Sequence, residues 1–258
     1  MDLNLKDKVA LVTGASGGLG KAICLKFAAE GAKVGVNYLR SEKIDLIDDA
    51  DAVVAEISHT YGTDALAVPA DLTVEADILE MFRLMDEKFA RVDILVNNAA
   101  YLPKGPITDC TKEEWNYTFE VNVSGAFLAA RELVRRLLAD ERPGKIVNIV
   151  SQAAFRGSTT GHLPYDASKG AMVSFTRALA REVSARGINV NAVAPGMIKT
   201  DMVAKTWRQN KQRYLDRIPI KRIALPEEVA NVVVFLASDA ASYMTGATVD
   251  ISGGMAMH

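Results

Sequence analysis

No stretch of the sequence approaches the roughly 18 uninterrupted apolar residues of a membrane span, and the opening MDLNLKDKVALVTG has no basic start followed by a long apolar run. Neither a membrane anchor nor a secretory leader is expected. Cysteine is scarce: Cys24 and Cys110 are the whole supply, and they form neither a metal-ligand spacing nor a disulfide framework. Cys24 falls within a helical pattern, where a buried free thiol is expected. A reducing, cytoplasmic compartment follows. An excess of one charge is lacking too. With 30 basic against 32 acidic side chains, the net charge of -2 gives no electrostatic footing to nucleic acid or an anionic membrane. No Pro/Gly/Ser-rich linker, repeat or low-complexity tract divides the chain, so residues 1–258 are read as a single domain.

What the sequence does have is alternation. Short β-branched runs occur at 9–13 (VALVT), 33–37, 65–69, 92–98, 145–151 and 188–195, with a last one near 247–251. Helix-forming stretches intervene, among them Gly20 to Glu30, Glu75 to Phe89, Lys112 to Leu138 and Ser168 to Ala185. Strands apolar on both faces and separated by helices imply an α/β fold with a parallel sheet covered on both sides. In the 168–185 helix, Ala171, Phe175, Ala178, Leu179 and Val183 suit close packing. Residues 198–226 are polar, basic and weakly periodic, and read as a lid or substrate-binding insertion.

The first strand runs into TGASGGLG at 13–20, where a helix begins. Backbone N–H groups at a helix start carry partial positive charge, and glycines let a pyrophosphate approach closely. Strand, glycine turn and helix in this order open a dinucleotide-binding fold. A nucleoside-triphosphate loop is excluded, because Ala22 follows Gly20-Lys21 where a Mg²⁺-binding hydroxyl is required. No carboxylate ends the second strand, which reads VNYLRS with Tyr38, Arg40 and Ser41. An acidic residue there would accept bonds from a free ribose hydroxyl; Arg40 instead can pair with a 2′-phosphate and Ser41 can donate to it. NADP(H) is favoured, and NAD(H) stays open.

Tyr165 and Lys169 stand four apart in YDASK and share a helix face. A phenol titrates near ~10, and a neighbouring ammonium stabilises its ionised form. The pair can therefore exchange a proton with a carbonyl oxygen.

Taken together, these motifs resemble the short-chain dehydrogenase/reductase family over essentially the whole chain. The glycine turn at Gly14, Gly18 and Gly20, with Ser16 and Leu19 inside it, is similar to the family's T-G-x-x-x-G-x-G; Asp71-Leu72 resembles its adenine-contacting step, and Asn97, Asn98 and Ala99 its fourth-strand motif. Asn122, Ser151, Tyr165 and Lys169 fall in the order of the family's tetrad, and Pro195, Gly196, Ile198 and Thr200 match its nicotinamide-side segment. The resemblance implies a single-domain Rossmann fold with a doubly wound seven-stranded sheet, and a homotetramer. It implies that Ser151 holds the substrate oxygen, Lys169 also binds the nicotinamide ribose, and Asn122 keeps a water in a proton relay. Asn97 and Asn98 would be chiefly structural. Two departures stand out: Ala100 replaces the usual glycine after NNA, and Gly17 stands where NADP-preferring relatives often carry a basic residue.

Within the family the resemblance is nearest to 3-oxoacyl-[acyl-carrier-protein] reductases. It rests on GGMAM at 253–257 and on Arg142 and Arg186, which match basic residues that meet the acidic carrier protein. A sugar, polyol or other secondary-alcohol dehydrogenase is the enzymatic alternative, because the stretch from Gln152 to Pro164 carries Arg156, Ser158, Thr159, Thr160 and His162. A sensor or scaffold that binds NADP(H) without turnover is a third reading, which the intact tetrad opposes. No metal site is expected: His162 has no partner at ligand spacing.

Overall fold

In the computed structural model the β-branched runs become β1 (Val9–Val12), β2 (Lys33–Tyr38), β3 (Ala65–Pro69), β4 (Ile94–Asn97), β5 (Gly144–Ile149), β6 (Ile188–Pro195) and β7 (Thr248–Ile251). The structure describes residues 2–158 and 161–256, and only the backbone of 201–206 and 209. All seven strands are parallel, in the order β3-β2-β1-β4-β5-β6-β7. β1 is buried along its whole length, with Val12 beside Val36 on one side and Val96 on the other. This is why its residues are uniformly apolar rather than alternating.

Helices cover both faces. On one lie α1 (Gly18–Ala29), α2 (Ile47–Tyr61) and, from the far end of the chain, a helix over Pro226–Leu236; their core includes Ile23, Phe27, Val53, Ile57, Val229 and Val233. On the other lie α3 (Glu75–Phe89) and helices over 125–139 and 163–183, packed through Phe82, Met85, Leu133, Leu137 and Val183. Burying each such large side chain stabilises the fold by about 1.5–3 kcal/mol. Strand order reverses between β1 and β4, and the crevice beyond their carboxyl ends is where such folds bind ligands.

The stretch from Lys112 to Leu138 is not one α-helix. Thr111 caps α4 (Lys112–Phe119) by accepting from the Glu114 amide at 3.1 Å; a π-helical turn spans Glu120–Ser124, and α5 (Gly125–Ala139) follows. The Gly125 amide donates five residues back, to Glu120. Gly125 also fits close against the Leu72 carbonyl, which a Cβ would approach to 2.7 Å.

After the single turn α6 (Ala153–Arg156), α7 (Leu163–Val183) begins earlier than its apolar pattern suggests, with Pro164 in its first turn where a missing N–H costs nothing. Its buried side consists of Ser168, Lys169, Met172, Val173, Thr176, Ala180 and Val183. Of the residues read as its packing face, only Val183 is buried; Ala171, Phe175 and Leu179 are half-buried and Ala178 is exposed. The lid segment is largely helical: α8 (Asp201–Arg217) kinks at Asn210 and is followed by α9 (Pro226–Leu236). Tyr214 and Ile218 pack on Met255.

Candidate active site

The glycine turn is set by β2 and β4. Gly14 has φ +60, and its amide donates to Asn37 Oδ1 at 3.1 Å. Asn98 Nδ2 donates to the Thr13 and Gly14 carbonyls at 2.8 and 2.9 Å, while Thr13 Oγ1 accepts from the amides of Asn98 and Ala99 at 3.0 and 3.1 Å. Gly17 precedes α1 without a side-chain cap, and the first turn has no acidic residue. Its amides and positive end are left for an anion. Beside Gly17 there is no heavy atom within 4 Å of where a Cβ would sit. The donor set and the open approach fit a pyrophosphate.

From this turn a cavity of about 740 Å³ runs past Asp71, Leu72 and Ala99 to Ser151, Tyr165 and Lys169. Ser16, Gly18, Leu19, Gly20, Asn98, Pro195, Gly196, Ile198 and Thr200 also line it, as do Met197, Tyr214 and Arg217 around α8. Tyr38, Arg40 and Ser41 do not line it. Tyr38 lies in the core, Arg40 pairs with Asp45 at 3.4 Å, and the Ser41 hydroxyl accepts from the Ile44 amide at 3.2 Å within its own turn. At that end the wall is Asn37, Leu39 and Leu46. Strand parity is the missed signal, since residues 37 and 39 share a face that 38 and 40 do not. Val121, Tyr101 and Tyr117 complete this part of the wall, the two tyrosine rings edge to face at 4.9 Å.

Ser151 follows β5, and its Oγ accepts from the Ala153 amide at 3.1 Å. Burial pushes the Tyr165 phenol up to about 12; the nearby Ser151 hydroxyl works against the rise and the Asp166 carboxylate adds to it. Lys169 Nζ donates to the Ile149 carbonyl at 2.7 Å and lies 5.5 Å from the Tyr165 ring centre. Burial brings this ammonium down to about 8. In the chain by itself burial, and not Lys169, sets the direction for the phenol, because loss of hydration disfavours the charged form of both groups. At neutral pH the pair is a protonated phenol beside a buried ammonium, the state that donates a proton.

Asn122 is buried in the π turn and does not reach the cavity. Its Oδ1 accepts from the Tyr101 amide at 2.7 Å, and its Nδ2 donates to the Tyr101 carbonyl at 3.0 Å and to Ser168 Oγ at 2.9 Å. Ser168 in turn donates to the Tyr165 carbonyl at 2.7 Å. Both amide protons are thus engaged, and the side chain acts by tying the loop after β4 to the helix that carries Tyr165. Asn97 likewise donates to Asn148 at 2.9 Å across the sheet. Among the described residues no three His, Cys, Asp or Glu side chains gather as metal ligands.

A family model described as enoyl-(acyl carrier protein) reductase matches residues 14–256. A 3-oxoacyl-[acyl-carrier-protein] reductase from Synechocystis is 42% identical, covering 98% of this chain and 98% of that protein. The chain belongs to the short-chain dehydrogenase/reductase family. Among solved structures, a short-chain type dehydrogenase/reductase from Mycobacterium marinum superposes with a TM-score of 0.93 at 32% identity, covering 100% of this chain and 98% of that one. L-Sorbose reductase from Gluconobacter frateurii, complexed with NADPH and L-sorbose, superposes at 0.90 with 32% identity, covering 99% and 98%. This short-chain dehydrogenase/reductase is an oxidoreductase that interconverts a ketone and a secondary alcohol. Arg142 and Arg186 lie at the amino-terminal edge of the sheet, opposite the cavity, just before β5 and β6; Arg142 is held by Asp93 at 2.9 Å and Asp140 at 3.0 Å. No helix among the described residues is long and apolar enough to cross a membrane.

The buried lysine has a measurable consequence. Below about pH 8, Lys169 is charged in folded and unfolded chains alike, so the fold bears the full cost of burying an ammonium. Between about 8 and the ordinary 10.5 the folded chain releases its proton first, the unfolded chain binds more protons, and stability rises with pH. Tyr165 works the other way above pH 10, where the unfolded phenol ionises first. Cofactor-free protein should therefore gain about 2 kcal/mol from this lysine between roughly pH 8 and 10, a gain missing from Lys169→Met. Denaturant midpoints of both proteins across that range test this; parallel curves would contradict it.

Proposed function

We propose that the chain reduces a ketone with NADP(H), Tyr165 giving its proton to the carbonyl oxygen while Ser151 holds that oxygen and stabilises the developing alkoxide. The single observation that carries this is the placement of the Tyr165 phenol with Ser151 and buried Lys169 at one end of the cavity that begins at the glycine turn. A nicotinamide bound along that cavity supplies the hydride. Lys169 holds positive charge next to the phenol and binds the nicotinamide ribose, while Asn122 and Ser168 fix the helix that carries both. Asp71 and Leu72 flank the adenine end, and Pro195, Gly196, Ile198 and Thr200 the nicotinamide end. The reaction as a whole is tested by following reduced-cofactor consumption with an acetoacetyl thioester, ketoses and simple ketones. Oxidation with any of them supports the reading; tight cofactor binding without turnover of any would favour the sensor.

For the substrate, the relatives support a 3-oxoacyl thioester, with acyl carrier protein as its carrier. The second reading, a sugar, polyol or other secondary alcohol, is favoured by the polar wall that Gln152, Ser158, His162 and Asp166 give the cavity. NADP(H) preference rests on Arg40, whose side chain is 62% exposed and joined to the 40% exposed carboxylate of Asp45. Such a pair is weak and easily exchanged for a phosphate. Arg40→Ala should lower the ratio of kcat/KM for NADPH over NADH by about tenfold or more. An unchanged ratio would place cofactor choice elsewhere. The half-buried flank of α7 (Ala171, Phe175, Leu179), together with Phe127 of α5 at 44% exposure, supports assembly as a homotetramer, which sedimentation tests. Both cysteines are free, which supports a cytoplasmic site of action.

A further inference from the structure

Three buried polar atoms without a hydrogen-bond partner sit on residues of the same cavity wall: Gln152 Oε1, Ser158 Oγ and Asp166 Oδ1. Gln152 adjoins Ser151 and Asp166 adjoins Tyr165, so all but Ser158 are next in sequence to a reacting side chain. Closed-off polar atoms are rarely left unpaired, because they forgo their hydration without recompense, and such exceptions gather at functional sites. No other stretch among the described residues collects three of them.

The wall that presents them is held in place. Asp166 spends its other oxygen on the Ser158 amide, at 2.6 Å. The Gly161 carbonyl accepts from the Gly105 amide at 2.9 Å, and His162 Nδ1 lies 2.8 Å from the Pro103 carbonyl. Asp166 Oδ1 is thus left without a donor, on the residue next in sequence to the proton donor.

We propose that this wall selects a ketone carrying a further hydroxyl next to the reacting carbon, read by Asp166, Ser158 and Gln152. The inference rests on the reading of Tyr165 and Ser151 as the carbonyl site. A carboxylate only accepts, so its complement is a donor. A hydroxyl both donates to Asp166 and accepts from Ser158 or from the Gln152 amide, whichever way that amide is turned. A 3-oxoacyl thioester has a methylene beside its ketone and then a carbonyl, an acceptor, and would leave Asp166 unsatisfied. The three atoms are covered in the chain by itself, and the proposal requires the Ser158 hydroxyl and the Asp166 carboxylate to turn toward the cavity that their residues line.

The experiment compares 1-hydroxybutan-2-one with butan-2-one under NADPH, with an acetoacetyl thioester as the third substrate. The hydroxylated ketone should show a kcat/KM at least about tenfold above that of its plain analogue and of the thioester, because a site built for a hydroxyl rejects the analogue without it. Asp166→Asn and Ser158→Ala should each lower the hydroxylated-to-plain ratio by about tenfold. That ratio is internal to each variant, so a general loss of activity drops out of it. Turnover of both ketones without preference, a ratio unmoved in both variants, or a thioester favoured over the hydroxylated ketone would each overturn the inference while leaving the carbonyl-reductase reading standing. Failure to reduce any of the three, or any ketose, would overturn both.

Discussion

Tyr165→Phe should lose about 10²–10⁴ in kcat while the protein still folds and takes up NADPH. The substitution removes one oxygen. The ring that packs beside Lys169 at 5.5 Å stays, as does the helix fixed by the bond from Ser168 to the Tyr165 carbonyl. The missing group is the phenol oxygen that the wall places at the Ser151 end of the cavity. Since burial holds the phenol up at about 12, it is protonated throughout the neutral range, and no change of pH below that value supplies a substitute. An interaction made mainly in the transition state lowers kcat and kcat/KM together, so KM should move little. Cofactor affinity should shift by less than about tenfold, since one neutral hydrogen bond contributes about 1 kcal/mol. Single-turnover measurements of hydride transfer separate this from slow product release. A variant within about threefold of the wild-type rate would sink the assignment of Tyr165 as proton donor.

The parts of this enzyme legible in its sequence are those that local chemistry dictates. Residues buried between two helix layers have to be apolar on both sides, so the strands announced themselves; so did the glycine turn, because few residues tolerate that approach of strand, loop and helix. Ser151, Tyr165 and Lys169 were found by order and spacing, and the fold does bring them to one cavity. What escaped depends on distant partners. EVNVS reads as ordinary helix, yet Tyr101 and Ser168 claim the Asn122 side chain and the helix widens by one residue there. The residues that face the cavity at the end of β2 escaped as well, because the pleat turns Asn37 and Leu39 toward it while the Arg40 side chain lies outside. The α7 stripe misled for a related reason: a helix that also covers the sheet with polar and small residues, Ser168, Lys169 and Thr176, hides its buried side from a search for apolar periodicity. The protonation of the Tyr165 and Lys169 pair was equally out of reach, because spacing shows proximity and burial decides which charge survives.

Gly20→Ala should destroy the cofactor end from within. A Cβ at position 20 would lie 2.3 Å from the Gly14 carbonyl oxygen, 2.7 Å from Asn98 Nδ2 and 2.8 Å from Ala15 Cα. Two of these are backbone of the turn itself. The third belongs to an amide already committed to the Thr13 and Gly14 carbonyls. None is the free end of a flexible side chain, so relief requires α1 to back away from β1, and that carries the helix-start amides away from the pyrophosphate. Overpacking of this kind costs about 1–3 kcal/mol, a fall of roughly 2–10 °C in Tm for a chain of this size. NADPH affinity should fall by more than about tenfold, since the displaced amides and positive helix end act on a charged group. Gly17→Ala separates the two effects: position 17 is extended at φ -167 and has open space around it, so its cost in Tm should be much the smaller. Thermal melts and NADPH fluorescence titrations of both variants read the contrast, and native NADPH affinity in Gly20→Ala would mean that the pyrophosphate is held somewhere other than this turn.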